Sequence, residues 1–99
     1  MRTGTNRKKS PAKPAGATLT ANGTQLTVDW GTNGDGSSLV LVLVDVVSGA
    51  VQQGTALDSA ETFVFPAPGV PQHTYVSRLT AYLNGESSMQ TTTNPQTVE

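Results

Sequence analysis

The sequence contains no cysteine, one histidine and one tryptophan among its 99 residues. The absence of cysteine excludes a disulfide-bonded scaffold, a cysteine-based zinc site and a thiol nucleophile. No apolar run approaches the roughly 18 residues that a membrane-spanning helix needs. The first 17 residues contain basic side chains but no apolar core, so we expect no secretory signal peptide and no export by the usual route. The length is sufficient for one domain.

Residues suited to catalysis or metal binding are sparse and isolated. His73 is the sole histidine, so a histidine metal cluster or a hydrolytic triad lacks partners, and we predict that it lies solvated in a loop or at a strand end. Residues 33–36 (Asn-Gly-Asp-Gly) lack the terminal acidic ligands of a calcium loop and are predicted to form a turn. We therefore predict no enzymatic activity, no metal, no cofactor and no small-molecule substrate.

Charge is divided unevenly along the chain. From residue 17 onward there are seven acidic residues and one base, Arg78, whereas residues 1–16 contain five bases and no acid. These bases are Arg2, Arg7, Lys8, Lys9 and Lys13. Because this segment has no apolar periodicity and is rich in Gly, Pro, Ser and Thr, we predict an extended arm that becomes ordered on a partner.

The five basic residues of the arm are candidate partner contacts. An acidic protein groove is favoured over nucleic acid, because the arm has no aromatic side chain for base stacking and the acidic body is repelled by phosphate. A tail that serves only solubility is the alternative.

The remainder of the chain has the pattern of short strands between turns. Leu26, Val28 and Trp30 alternate with polar residues, which is typical of a half-buried strand, and Asn84-Gly85 is a strong hairpin signal. No window shows a helical apolar stripe. Seven strands are predicted, at 17–21, 24–30, 38–47, 50–53 (a short edge segment), 62–65, 73–83 and 86–93. This number and spacing predict an all-β sandwich over residues 17–99, ending in a short polar tail at 94–99.

Two segments resemble the fibronectin type III family. Residues 26–30 (Leu-Thr-Val-Asp-Trp) are similar to its second strand, which ends in a buried Trp. Tyr75, Leu79 and Ala81, followed by residues 84–87 (Asn-Gly-Glu-Ser), resemble its sixth strand and the hairpin after it. Ser77 departs from this pattern, since an apolar residue is usual there. The resemblance implies a seven-stranded scaffold, and a generic immunoglobulin-like sandwich is the alternative.

The third predicted strand has apolar residues at both its odd and its even positions. Another residue must therefore indicate which side of the strand faces outward. Asp45 occupies an odd-numbered position, as the three leucines do, so all four side chains point to the same side of the strand. Because a charged side chain is expected to face solvent, this predicts that the leucines point outward and the valines inward. Arg78 similarly orients the sixth strand. The predicted exposed apolar patch consists of Leu39, Leu41, Leu43, Val76, Arg78 and Tyr82. We interpret it as a protein-binding surface; the alternative is that a loop of the same chain covers it.

Fibronectin- and immunoglobulin-like modules mostly work outside cells, whereas no export signal is found here. A bacteriophage virion accessory protein resolves this conflict, because virions assemble in the host cytoplasm and leave by lysis. The expected role is capsid decoration or a head, neck or tail component, with other virion proteins or a second copy as partners and no membrane association. One alternative is a carbohydrate- or receptor-binding module using residues 32–37 and the 84–85 hairpin. The other is nucleic-acid binding through the arm.

Overall fold

Two antiparallel sheets face each other in the computed structural model, which describes residues 14, 16–32, 34, 36–88 and 90–99. The strands are β1 Thr18–Asn22, β2 Gln25–Asp29, β3 Ser38–Asp45, β4 Val51–Leu57, β5 Thr62–Val64, β6 Thr74–Leu83, β7 Glu86–Ser87, β8 Thr91–Thr92 and β9 Gln96–Thr97. A 3-10 turn, Asp58–Ala60, separates β4 from β5.

The smaller sheet has the order β1-β2-β5, and the larger has β4-β3-β6 followed by three short segments. These segments, β7, β8 and β9, pair with successive parts of β6, so the described strands occupy seven positions. The predicted all-β sandwich is therefore confirmed. No helix among the described residues is long and apolar enough to cross a bilayer.

The core lies between the sheets and follows the period of two expected for strands. It consists of Leu19, Leu26, Val28, Trp30, Leu39, Leu41, Leu43, Phe65, Tyr75, Leu79, Ala81 and Val98. Burial of each large aliphatic side chain contributes about 1.5–3 kcal/mol, which makes this cluster the main source of stability. Ser77, the departure from the family pattern, is also buried, and its hydroxyl donates to the Val42 carbonyl at 3.1 Å.

The predicted outward orientation of Leu39, Leu41 and Leu43 is wrong, because all three are in the core. Asp45, whose parity suggested it, is itself buried. Its carboxylate is satisfied inside the protein by the N–H groups of Val47 and Ser48 and by His73, so its polarity does not mark a solvent-facing position.

Two further segments differ from the prediction. β4 extends to Leu57 rather than ending at residue 53, because it pairs with β3 along its whole length. Residues 94–99 are not a polar tail: β9 pairs with the start of β6, and Val98 is buried in the core. The side-chain amide of Asn94 accepts from Leu19 N–H at 3.0 Å and donates to its carbonyl at 3.1 Å, which ties this end to β1.

The predicted arm, residues 1–16, contributes to the packed body at its end. Pro14 is buried, and its carbonyl accepts a hydrogen bond from the Thr91 hydroxyl at 2.6 Å. The five basic residues proposed as partner contacts lie outside the described residues.

Candidate binding surface

The solvent-facing side of the larger sheet is rich in apolar side chains. We call it the outer face. It comprises Val40, Val42 and Val44 of β3, Val51, Gln53, Thr55 and Leu57 of β4, and Val76, Arg78, Thr80 and Tyr82 of β6. Its margins are well exposed, with Val51 at 61%, Leu57 at 62% and Tyr82 at 42% of full accessibility. A contiguous exposed apolar patch of this kind is typical of an interaction site.

The register sets these side chains in rows across three strands. Val42 is opposite Arg78 on one side and Gln53 on the other, and Val44 lies between Val76 and Val51. Cross-strand neighbours on one face have their Cβ atoms about 4.5–5.5 Å apart, so the valines form one continuous surface.

Arg78 is the only charged side chain that the described part of this face presents, and it is exposed. It stands among aliphatic and hydroxyl side chains, with Val42 and Thr92 as its cross-strand neighbours. A partner surface that is mainly apolar and carries an acidic residue is the chemical complement of such a face.

Only part of the predicted patch is brought together. Val76, Arg78 and Tyr82 lie on the outer face as predicted, whereas Val40, Val42 and Val44 occupy the places assigned to the leucines. Exposed residues further along β4 were missed, because that strand was predicted to end early. Residues 51–57 (Val-Gln-Gln-Gly-Thr-Ala-Leu) show no alternation of apolar and polar residues, so the sequence carries no clear signal for the full length of β4.

One end of the sandwich is organised by a hydrogen bond between the side chains of His73 and Asp45. Nδ1 of His73 lies 2.6 Å from Oδ2 of Asp45, and the pair borders a cleft of about 300 Å³ with an apolar lining that includes Val51, Val70 and Tyr75. Burial of the Asp45 carboxyl raises its pKa, but the hydrogen bonds from His73, Ser48 and Val47 outweigh that effect and hold the pKa well below its usual range. His73 therefore lies at a strand end, as predicted. It is not simply solvated, because its hydrogen bond to Asp45 connects the start of β6 to the end of β3.

The opposite end brings together the loops of the predicted adhesion site. Ser38 pairs with Tyr82, so the segment before β3 and the 84–85 hairpin after β6 lie at the same end of the sheet. Asp58 holds this end: its carboxylate accepts from the Thr32 hydroxyl and from Gly34 N–H, and its backbone carbonyl accepts from Trp30 Nε1 at 3.0 Å. Residues 33 and 35 of the predicted turn lie outside the described residues.

The described residues contain no group of three or more His, Asp or Glu side chains that could hold a metal ion. The acidic residues do not lie together. Asp45 and Asp58 are buried and hydrogen-bonded, whereas Asp29, Glu61 and Glu99 are exposed in different parts of the surface.

Trp30 and Tyr75, on which the family resemblance depends in part, are both buried. Trp30, directly after β2, is fully buried in the core. The Tyr75 hydroxyl, at the start of β6, accepts a hydrogen bond from Val70 N–H, five residues upstream, at 2.7 Å. A tyrosine at this position that bonds back to the preceding connection is a tyrosine corner, a recurrent feature of immunoglobulin-like sandwiches.

Comparison with solved structures agrees with these features. The fn3 domain of human collagen alpha-1(XX) superposes with a TM-score of 0.73 at 15% identity, covering 94% of this chain and 92% of that one. The structure named FN3tt mut gives 0.72 at 17% identity, covering 91% and 98%. The fold is that of a fibronectin type III domain.

The fibronectin type III fold is shown by structure alone, because no family model and no curated protein matches the sequence. Domains A168–A170 of titin also superpose, with a TM-score of 0.69 at 12% identity. This chain covers 32% of that titin fragment, with 90% of its own length aligned.

Proposed function

We propose that this chain is a non-enzymatic binding module that docks on a protein partner through the outer face. The observation that carries the proposal is a continuous surface of valines, with Tyr82 and Leu57 at its margins and a single charge, Arg78. Burial of such a surface contributes favourable free energy to binding. A contact between Arg78 and an acidic group of the partner fixes the orientation in which the two proteins dock.

The specific role that we propose is that of a bacteriophage virion accessory protein, decorating a capsid or forming part of a head, neck or tail. The basic residues of the arm provide a second, electrostatic contact with the particle, while the acidic body is kept away from the packaged nucleic acid. Support comes from the division of charge between the arm and the body. The proposed location is the virion, after assembly in the host cytoplasm.

Co-sedimentation with purified virions tests both contacts. Deletion of residues 2–13 removes all five basic residues of the arm and retains Pro14, which packs on the body. Arg78→Glu reverses the charge of the outer face at an exposed position. Each change is expected to lower the bound fraction at least tenfold, and the effect of the deletion is expected to grow as salt is lowered.

Asp29→Lys is the matched control for Arg78→Glu, because Asp29 is exposed on the smaller sheet and its reversal leaves the outer face unchanged. Retained binding by Asp29→Lys together with loss by Arg78→Glu supports the outer face. Undiminished binding by the arm deletion removes the arm from the mechanism, and binding by Arg78→Glu at the level of the unaltered chain removes the outer face.

The second candidate function is carbohydrate or receptor binding at the loop end. The observation that favours it is that the loop before β3 and the 84–85 hairpin lie side by side, with Tyr82 adjacent. A glycan array probed with the full chain distinguishes this function: saturable binding that is lost on Gly85→Lys but kept by Arg78→Glu favours it over protein docking.

The third candidate, nucleic-acid binding through the arm, predicts a steep loss of duplex-DNA affinity with salt. Such a loss, eliminated by deletion of residues 2–13, would favour it.

A further inference from the structure

The strand β4 forms one edge of the larger sheet. It pairs with β3 on one side and has no strand beside it on the other in the described part of the chain. Natural proteins usually protect such an edge with charged residues, proline or a bulge. The seven residues of β4 contain no charge and no proline, and their register with β3 is uninterrupted.

The pairing with β3 shows which backbone groups of β4 face the open side. Asp45 N–H donates to the Ala50 carbonyl and Asp58 N–H donates to the Ser37 carbonyl, and both bonds continue the register of the β3–β4 ladder. In an antiparallel pair, hydrogen-bonded positions alternate. The even-numbered residues of β4 therefore direct their N–H and C=O groups toward β3, and the odd-numbered residues direct theirs outward.

The odd-numbered residues are also the exposed ones, and their sequence is self-complementary. When two antiparallel copies of β4 meet at Gly54, Val51 of one copy lies opposite Leu57 of the other, and Gln53 lies opposite Thr55. Apolar residues thus pair with apolar residues, and polar residues with polar ones. Each of these opposed pairs is of the type that exchanges two N–H···O bonds.

We propose that β4 is a dimerisation edge that pairs antiparallel with β4 of a second copy of this chain, with the two-fold axis at Gly54. The register that centres the axis there pairs the complete strand and places the exposed Val51 and Leu57 in contact. A shift of the axis by one residue leaves both Val51 and Leu57 without an apolar partner.

The dimer joins the two larger sheets into one, with a continuous outer face. Neighbouring strands are about 4.8 Å apart, so the two Arg78 side chains lie roughly 24 Å from each other, beyond the Debye length of about 8 Å at physiological salt. The pairing therefore does not bring the two Arg78 charges together. The dimer does not require a virion partner. The dimerisation experiment can therefore fail while the co-sedimentation experiment succeeds, and the reverse.

Charge placed at the two central outward positions tests the pairing. In the double variant Gln53→Lys/Thr55→Lys, every lysine faces a lysine of the second copy, and in Gln53→Glu/Thr55→Glu every glutamate faces a glutamate. Each variant alone is expected to be monomeric in sedimentation-velocity measurements, with dimer affinity lowered at least tenfold. An equimolar mixture is expected to restore the dimer, because each lysine then faces a glutamate.

Thr18→Lys/Thr20→Lys is the matched control, since these threonines are exposed with the same spacing on β1, an edge strand of the other sheet. This variant is expected to dimerise like the unaltered full chain. Circular dichroism establishes that all variants are folded. A chain that sediments as a monomer from micromolar to millimolar concentration overturns the proposal. So does a dimer that persists in either edge variant, or a mixture that stays monomeric.

Discussion

The Asp45 carboxylate and the His73 imidazole are 2.6 Å apart and join the turn after β3 to the start of β6. The other carboxylate oxygen of Asp45, Oδ1, accepts from Val47 N–H at 2.9 Å and from Ser48 N–H at 3.1 Å. Both oxygens are therefore occupied at a position that is only 3% exposed. This arrangement allows a charged residue to lie in line with the leucines of the core.

Asp45→Asn is expected to lower the free energy of unfolding at neutral pH, because the amide replaces an ionised acceptor. The native pKa of Asp45 lies below the unfolded value of about 3.9, so its stabilisation is complete above that value and is lost as the pH falls below it. Urea unfolding at a series of pH values measures this. The difference between the unaltered chain and Asp45→Asn should shrink as the pH falls from about 4.

Asp29→Asn is the control for that series, since Asp29 is exposed on β2. A difference for Asp45→Asn that stays constant between pH 5 and acid, or that is no larger than the one for Asp29→Asn, would contradict the assigned role of the carboxylate.

Asp45 also explains why the fold was predicted correctly from the sequence while the two sides of β3 were assigned the wrong way round. The alternation of Leu26 and Val28 with polar residues assigns the inward side of β2, and Arg78 assigns the outward side of β6; both assignments are correct. β3 is apolar on both sides, so its orientation depended on Asp45 alone. The imidazole that is hydrogen-bonded to Asp45 is 28 residues away, and no local pattern indicates that pairing.

The C-terminal segment was misjudged for a related reason. Val98 is a single apolar residue among polar neighbours, which gives no strand signal. Its burial depends on the pairing of β9 with β6 and on Gly69, where a Cβ would come within 2.8 Å of the Val98 side chain. Such long-range packing follows from tertiary structure and not from local sequence preference.

The orientation of β3 predicts opposite outcomes for two adjacent substitutions. Leu41→Asp places a carboxylate in the core opposite Leu79 and is expected to unfold the protein, because loss of a buried leucine alone costs about 2–5 kcal/mol and the charge adds to that cost. Val42→Asp places the same carboxylate on the outer face beside Arg78 and should leave a cooperative unfolding transition. Circular dichroism and thermal unfolding distinguish the two; a folded Leu41→Asp protein would show that the leucines face outward after all.

Gly54 and Phe63 form a second test of the packing, at the place where β4 approaches β5. A Cβ at Gly54 would lie 2.3 Å from Cζ and 2.6 Å from Cε2 of the Phe63 ring, which in turn makes an edge-to-face contact with Phe65 at 5.0 Å between ring centroids. Gly54→Ala must displace this ring and is expected to cost about 1–3 kcal/mol. Gly31→Ala is the matched control, because a Cβ there meets no atom within 4 Å.

Phe63→Leu shortens the side chain that causes the clash, so the two substitutions should not be additive. In a double-mutant cycle followed by the fluorescence of Trp30 during urea unfolding, Gly54→Ala is expected to cost less in the Phe63→Leu background, with a coupling of about 1 kcal/mol or more. The physical reason is that the smaller side chain leaves room for the new methyl group between the sheets. Additive costs, or a Gly54→Ala variant as stable as Gly31→Ala, would mean that the Phe63 ring does not lie over Gly54 in solution.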